Sequence, residues 1–269
     1  MSREAIEDLG SPLAAKVELH EEVDSTQQRA RELARAGAPH GTLVVSKIQF
    51  GGRGRLGRRW GSPVGGLWMS LVLRPGISSR VAARVTQTAA VGVAKGLREM
   101  GVEAEIKWPN DLLVDGRKIC GILAESSVES VPVAAKKVGA GERRRVDFVV
   151  LGVGLNANLD PKDLGVPENE AATLRSELGH DVDMLALLES LLSHLDFELG
   201  RIEDFGVVLD DWRALNCTLG ERVRVRRFGE ALEGEALDLG PEGALLLGTR
   251  NGVIELFEGE VEQLRRQGT

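Results

Sequence analysis

The chain lacks any run of about 18 apolar residues, so it offers no membrane-spanning helix. Its first residues, MSREAIEDLG, are acidic and hold no apolar stretch, so no secretory signal is expected. Cysteine is scarce. Cys120 and Cys217 stand far apart with no CxxC spacing and no disulfide framework, and a reducing cytoplasm is the expected compartment. Also absent are GxSxG, HExxH, the GxxxxGK[ST] phosphate loop and any Cys–His pairing signal. His20, His40, His180 and His194 sit in contexts that read as surface or packing positions. An enzyme built from this chain would lean on cations and backbone amides rather than on its own nucleophile, a pattern that suits activation of a carboxylate by a nucleotide. The chain is also not basic: 34 Lys and Arg against 41 Asp and Glu give a net charge of −7. A protein held mainly by polyanion contacts would usually be basic, so bulk nucleic-acid binding is disfavoured.

What is present is ordinary globular material: 269 residues, 42% hydrophobic and 28% charged. That length predicts one large domain with a smaller one, or two domains, and leaves no room for disorder or coiled coil as the main content. Residues 1–15 read as a short, poorly patterned lead-in. Leu43-Val44-Val45 and the run LWMSLVL from Leu67 to Leu73 predict strands. Asp24-Ser25-Thr26 can cap a helix over Gln27 to Ala36 that Gly37 stops. Ser78-Ser79 opens a helix to about Met100, and its small residues suit close packing on a sheet. Strands follow at Glu105 to Trp108, Lys118 to Glu125 and Val146 to Val153, the last two joined by VPVAAKKVGAGERRR, a solvated hairpin loop rather than a phosphate grip through Arg143 to Arg145. Met184 to Leu199 has apolar residues at helical spacing, and a second helix covers Asp204 to Leu215. Beyond residue 217 the character changes to short strands punctuated by Gly229, Gly240-Pro241-Glu242-Gly243 and Asn251-Gly252, which predicts a small β-barrel of SH3 size.

Three clusters concentrate chemistry. GGRGRLGRR at 51–59 interleaves glycine and arginine, so it offers unobstructed backbone N–H groups and several guanidinium forks. It suits capture of a carboxylate or phosphate by a loop that closes over its ligand. An exposed loop without a ligand and an RGG-like RNA segment are the alternatives. Lys107-Trp108-Pro109-Asn110-Asp111 follows a strand that Pro109 ends. There a lysine can reach a cleft as a point charge, and Asn110 and Asp111 can serve a nucleotide or a hard cation, or simply build a turn. Gly152-Val153-Gly154-Leu155-Asn156-Ala157-Asn158 ends the strand DFVVL with small residues that permit close approach of a ligand, or merely shape a turn.

Together and in this order, GGRGRLGRRW at 51–60, KWPNDLL at 107–113, the GIL and Glu125 of 121–125 and GVGLNAN at 152–158 resemble the biotin protein ligases over roughly residues 17–265. The resemblance implies an α+β fold: a mixed β-sheet flanked by helices, related to class II aminoacyl-tRNA synthetases, with a small C-terminal SH3-like β-barrel. The lead-in would span 1–16, the catalytic biotin- and ATP-binding domain 17–217 and the SH3-like domain 218–269. It implies ATP-dependent biotinylation of a lysine on a biotin carboxyl carrier protein through biotinyl-5′-AMP, with biotin and ATP as substrates and Mg2+ as the accompanying ion. Ser25, Thr26, Gln27, Gln49, Arg53, Gly54, Arg55 and Lys107 fall on the biotin contacts, with Lys107, Arg53 and Arg55 the catalytic cations. Arg55, Arg58, Trp60, Asn110, Asp111, Lys118 and Asn156 fall on the nucleotide side. Gln27 departs from the family's usual Asn or Met, and Leu56 stands where a further arginine is common. The members that also repress transcription carry an N-terminal helix-turn-helix domain, for which some fifteen residues are too few, so no DNA partner and no membrane are expected. The family pairs as homodimers in one mode and not in another, and one chain does not choose. Lipoate or octanoate transfer on the same scaffold, and a non-catalytic biotin- or RNA-binding module, are the competing readings. The ligase reading requires that the cations of 53, 55 and 107 converge on one cavity.

Overall fold

The structure is a computed structural model and describes residues 1–76, 82, 84–128, 146–227 and 229–264. The predicted start of the long helix at Ser78-Ser79 and the hairpin loop VPVAAKKVGAGERRR lie outside the described residues.

A seven-stranded mixed sheet forms the centre. Its strands are β1 (Lys16–Val23), β2 (Thr42–Gln49), β3 (Leu67–Leu73), β4 (Glu105–Lys107), β5 (Asp111–Val114), β6 (Arg117–Val128) and β7 (Val146–Leu155), in the order β1-β2-β3-β7-β6-β5-β4. β1 and β2 are parallel and the other neighbours antiparallel. LWMSLVL becomes β3 over the predicted residues. Every residue of it is buried, as expected of a continuous apolar run lying between β2 and β7. Strand β5 adds to the sequence reading, which placed no strand between Trp108 and Lys118. The turn ends at Asn110, and Asp111 opens a four-residue strand paired to both β4 and β6.

Helices cover the sheet: α1 (Arg3–Glu7), α2 (Thr26–Arg35), α3 (Val85–Glu99), α4 (Leu174–Leu178), α5 (Met184–Gly200) and α6 (Phe205–Leu215). The short α1 corrects the expectation of an unpatterned lead-in. Ser2 caps it, and Ile6 and Leu13 are fully buried in the main core. Ser25 caps α2, its hydroxyl accepting from Gln28 N–H, and Gly37 follows at φ +86°, the left-handed conformation that stops the helix. In α3 the small residues bring helices close: a Cβ at Gly92 would lie 3.1 Å from the His194 carbonyl on α5.

Past α6, strands β8 (Arg222–Arg227), β9 (Glu230–Leu239), β10 (Leu245–Thr249), β11 (Gly252–Leu256) and β12 (Glu260–Gln263) form an antiparallel sheet in the order β11-β10-β9-β8-β12. Asn251-Gly252 turns β10 into β11 as its composition predicts. The buried residues of this small unit, among them Val223, Val225 and Leu247, are continuous with the main core. Polar ties join the units, two of them near Gly243. Arg84 is bidentate to Glu242 with its guanidinium 4.8 Å from the Phe205 ring centre, and Trp108 donates its indole N–H to the Gly243 carbonyl at 3.3 Å.

Candidate active site

A cavity of about 360 Å3 opens where β2, β3, β6 and β7 meet the start of α2, and the segment 53–61, the 107–111 turn, residues 164–171 and the start of β12 add to its wall. All fourteen site residues expected from the sequence line it: Ser25, Thr26, Gln27, Gln49, Arg53, Gly54, Arg55, Arg58, Trp60, Lys107, Asn110, Asp111, Lys118 and Asn156.

One end is uncharged and polar. Thr26 donates its backbone N–H to Gln49 Oε1 at 2.8 Å, and its Oγ1 lies 3.0 Å from the same oxygen and 2.9 Å from Ser70 Oγ. Ser70 in turn donates to Gln27 Oε1 at 3.2 Å. Gln27 Nε2 donates to Glu125 Oε2 at 2.9 Å and to the Val150 carbonyl at 3.1 Å. Ser25, Thr26, Gln27 and Ser70 are each at most 4% exposed. Ser70 was not singled out from the sequence, and Glu125 was noted only as part of the 121–125 motif, with no role at the site. Ser70 hides inside an apolar strand, and its partner is forty-four positions away, so only register brings the two together.

The other end is charged. The segment 50–62 is a tight irregular hairpin: Gly54 N–H donates to the Arg58 carbonyl and Trp60 N–H to the Gly52 carbonyl, at 2.8 and 2.9 Å. At its tip Leu56 takes φ 55° beside Gly57 at φ 74°, and Leu56 is exposed. Arg53 donates to Gln28 Oε1 at 2.8 Å. Arg55 donates to Asn110 Oδ1 at 3.1 Å, and Asn110 is held from behind by the Ile122 carbonyl at 2.7 Å. Burial pulls the Arg55 guanidinium below its ordinary value, and the carboxylates of Asp111 and Glu258 partly oppose that. Lys118 pairs with Asp111 at 2.6 Å, with its ammonium 4.9 Å from the Trp60 ring centre. Lys107 makes no ion pair among the described residues. Arg58 pairs with Glu260 of β12, so the small C-terminal unit contributes to the wall. The sequence had pointed to no residue of that unit.

The glycines of β6 and β7 make room. A Cβ at Gly154 would lie 2.5 Å from Trp60 Nε1, one at Gly121 2.9 Å from Trp60 Cζ3, and one at Gly152 2.5 Å from Gln27 Oε1. The Trp60 indole thus lies flat over two glycines, edge-on to Trp68 at 6.4 Å. Among the described residues four buried side-chain polar atoms have no partner, and two of them, Trp60 Nε1 and Asn156 Oδ1, belong to cavity residues. Asn156 Nδ2 is satisfied by the Lys118 and Ala172 carbonyls at 3.2 and 3.0 Å. A buried acceptor held so firmly and left unpaired is what a ligand donor would complete.

The chain is similar to known proteins along nearly its whole length. A model of the Biotin/lipoate A/B protein ligase family matches residues 19–141, and a model of the Biotin protein ligase C terminal domain matches residues 218–262. The bifunctional ligase/repressor BirA of Bacillus subtilis is 36% identical over 251 residues, which are 90% of this chain and 72% of that protein. The biotin–[acetyl-CoA-carboxylase] ligase of Paracoccus denitrificans is 33% identical over 83% of this chain and 90% of its own length. Among solved structures, the biotin protein ligase of Aquifex aeolicus in complex with biotin and ATP superimposes with a TM-score of 0.72 at 27% identity, covering 93% of this chain and 99% of that one. Matched by both family models, at 36% and 33% identity to these relatives and with the fold of a biotin protein ligase, the chain belongs to the biotin protein ligase family.

Proposed function

We propose that the protein activates biotin with ATP and transfers it to a lysine of a biotin carboxyl carrier domain. In the first step a carboxylate oxygen of biotin bonds to the α-phosphorus of ATP. The bond from that phosphorus to its bridging oxygen breaks, and pyrophosphate leaves with the electron pair, giving biotinyl-5′-AMP. In the second step the carrier lysine amine bonds to the acyl carbon, AMP departs with the acyl–oxygen bond pair, and the amine gives up a proton. Neither step needs a covalent bond to the enzyme, which agrees with a cavity wall rich in cations.

The uncharged end suits the ureido ring, whose N–H and C=O groups complement the hydroxyls and amides of Ser25, Thr26 and Gln49. Lys107 supplies a compact, unpaired ammonium where carboxylate and α-phosphate meet, and offsets the charge that builds between them. Arg53 and Arg55 fork toward the same acid and phosphate from the hairpin, with Gly54 between them. Trp60 offers a flat ring to the nucleotide, Asn110 orients Arg55, Arg58 stands at the rim, and Asn156 Oδ1 is an acceptor suited to the amino group of adenine. Magnesium would enter with the triphosphate. Asp111 and Glu170 are the wall carboxylates that fit an ion bound by one or two carboxylates beside phosphate oxygens, and Lys118 would yield Asp111 to it. When bound, the ion would neutralise the departing pyrophosphate. The cytoplasm is the natural setting for the reaction, and the chain is divided as the catalytic unit 17–217 and the smaller unit 218–269.

The observation that supports this most is convergence: Lys107 from one segment and Arg53 and Arg55 from another line the same cavity as the neutral polar end. The test is pyrophosphate release from ATP on addition of biotin or lipoate, followed by labelling of a carrier domain. Release with biotin and labelling of the carrier are expected. Release with lipoate alone would move the protein to the other branch of its family, and release with neither acid would end the ligase reading.

A further inference from the structure

The hydrogen bonds behind the neutral end of the cavity have a direction, and that direction starts outside the cavity. Glu125 does not line the cavity; it is ion-paired with Arg31 on the far side of Gln27, so its carboxylate can only accept. The Val150 carbonyl can likewise only accept. Both hydrogens of Gln27 Nε2 are directed at these two oxygens, at 2.9 and 3.1 Å. Turning the carboxamide over would set Gln27 Oε1 against two acceptors, so its orientation is determined. Gln27 Oε1 therefore faces inward as an acceptor and takes the single hydroxyl hydrogen of Ser70 at 3.2 Å. Ser70 then has no hydrogen left for Thr26 Oγ1, 2.9 Å away. The one hydrogen of Thr26 goes either to Ser70 Oγ or to Gln49 Oε1, and in neither case does a protein group return a hydrogen to Thr26 Oγ1. The oxygen is left with accepting capacity in a residue that is 3% exposed and lines the cavity.

We infer that Gln27, oriented by Glu125 and acting through Ser70, is a positioning and specificity-determining residue that makes Thr26 Oγ1 an obligate acceptor, so that the head-group end admits ligands presenting an N–H donor there. The inference rests on the reading of this end as the ureido subsite. It gives the departure at Gln27 a purpose. An apolar methionine at that position would leave the Ser70 hydrogen free to turn onto Thr26 and would relax the demand for a donor. Fatty or dithiolane acids, which carry no N–H, would meet an unpaired buried oxygen.

The experiment is calorimetric binding of biotin and of its cyclic carbonate analogue, in which both ureido N–H groups are replaced by oxygen. It is run on the wild type, Q27M, E125Q and S70A, with ATP binding and thermal midpoint measured in parallel. The wild type should prefer biotin over the carbonate. In Q27M that preference should shrink about tenfold, the scale of one neutral hydrogen bond in a dry site. E125Q, which alters a half-exposed side chain and spares the core, should shrink it in the same direction. Adding Q27M to S70A should change the preference no further, because the two substitutions interrupt one chain. A preference unchanged in Q27M and E125Q while the wild type binds biotin would overturn the proposal and leave the ligase reading intact. Failure of the wild type to bind biotin would remove both.

Discussion

Lys107 stands at the end of β4, lines the cavity and makes no ion pair among the described residues, while Lys118 is committed to Asp111. An unpaired cation contributes little to folding but acts fully on charge that appears during reaction. Lys107→Ala is accordingly expected to slow pyrophosphate release by about 10²–10³-fold, the usual cost of removing a preorganised electrostatic contact. Its thermal midpoint should barely move, since a change away from packing and buried networks shifts stability by under about 0.5 kcal/mol. Equal turnover in the variant and the wild type would take Lys107 out of the chemistry. Asn156 differs in kind: its amide nitrogen donates to two backbone carbonyls, which fixes the place of its unpaired Oδ1 in the cavity wall.

At the scale of elements, the glycines of β6 and β7 matter more than their loop-like composition suggests. They lie within paired strands, where glycine is normally a weakness, and what they provide is absence of a side chain beneath Trp60 and Gln27. Gly154→Ala should fold, because the clash is with the Trp60 side chain rather than with backbone. It should tilt the indole off the sheet and raise the KM for ATP about tenfold or more while leaving biotin affinity close to wild type. Separate titrations of the two ligands check this, and an equal loss for both would mean that the whole cavity had collapsed. The hairpin 50–62 is the other element whose role follows from its shape. Backbone hydrogen bonds between Gly52 and Trp60 and between Gly54 and Arg58 present four arginines on a short frame.

At the scale of the whole molecule, ion pairs connect distant segments, and two of these links carry predictions. Lys95 of α3, Glu198 and Asp211 of α5 and α6, and Arg201 between those helices form a cluster around a fully buried Glu198 carboxylate. Glu198→Ala should destabilise the protein by about 2 kcal/mol. That is less than the ~3–5 kcal/mol of a fully buried pair, because Lys95 keeps 32% and Arg201 26% of its side chain exposed. Chemical denaturation measures the loss, and adenylate synthesis at room temperature should be unaffected. The second link joins Arg58 of the hairpin to Glu260 of the small C-terminal unit. The Arg58 guanidinium holds the Glu260 carboxyl below its ordinary value of 4.5, so the native state favours the ionised form. The resulting stability is present above that ordinary value and is lost as pH falls through the lowered native one. Because both side chains are more than a third exposed, it amounts to no more than about 1 kcal/mol. Melting curves of wild type and E260Q should therefore differ slightly at neutral pH and converge in acid. A gap that persisted in acid would mean that Glu260 acts by something other than its charge.

Local rules decided much of this protein in advance. LWMSLVL was bound to become a buried strand, Ser25 and Gly37 bracket a helix through cap chemistry, and Asn251-Gly252 turns a hairpin, because each depends only on neighbours along the chain. The motifs at 51–60, 107–113, 121–125 and 152–158 likewise carried the family resemblance through residue type and order. Other features had no local signal. Strand β5 exists because β4 and β6 flank it, and Ser70 is polar within an apolar strand because β3 passes beside α2. Glu125 stands in the 121–125 motif, but its pairing with Gln27 comes from packing alone, and Glu260 reaches the site from the second sheet. Their roles were settled by folding, since a hydrogen bond or ion pair across many tens of residues is created by strand register and packing and leaves no trace in the spacing of either partner.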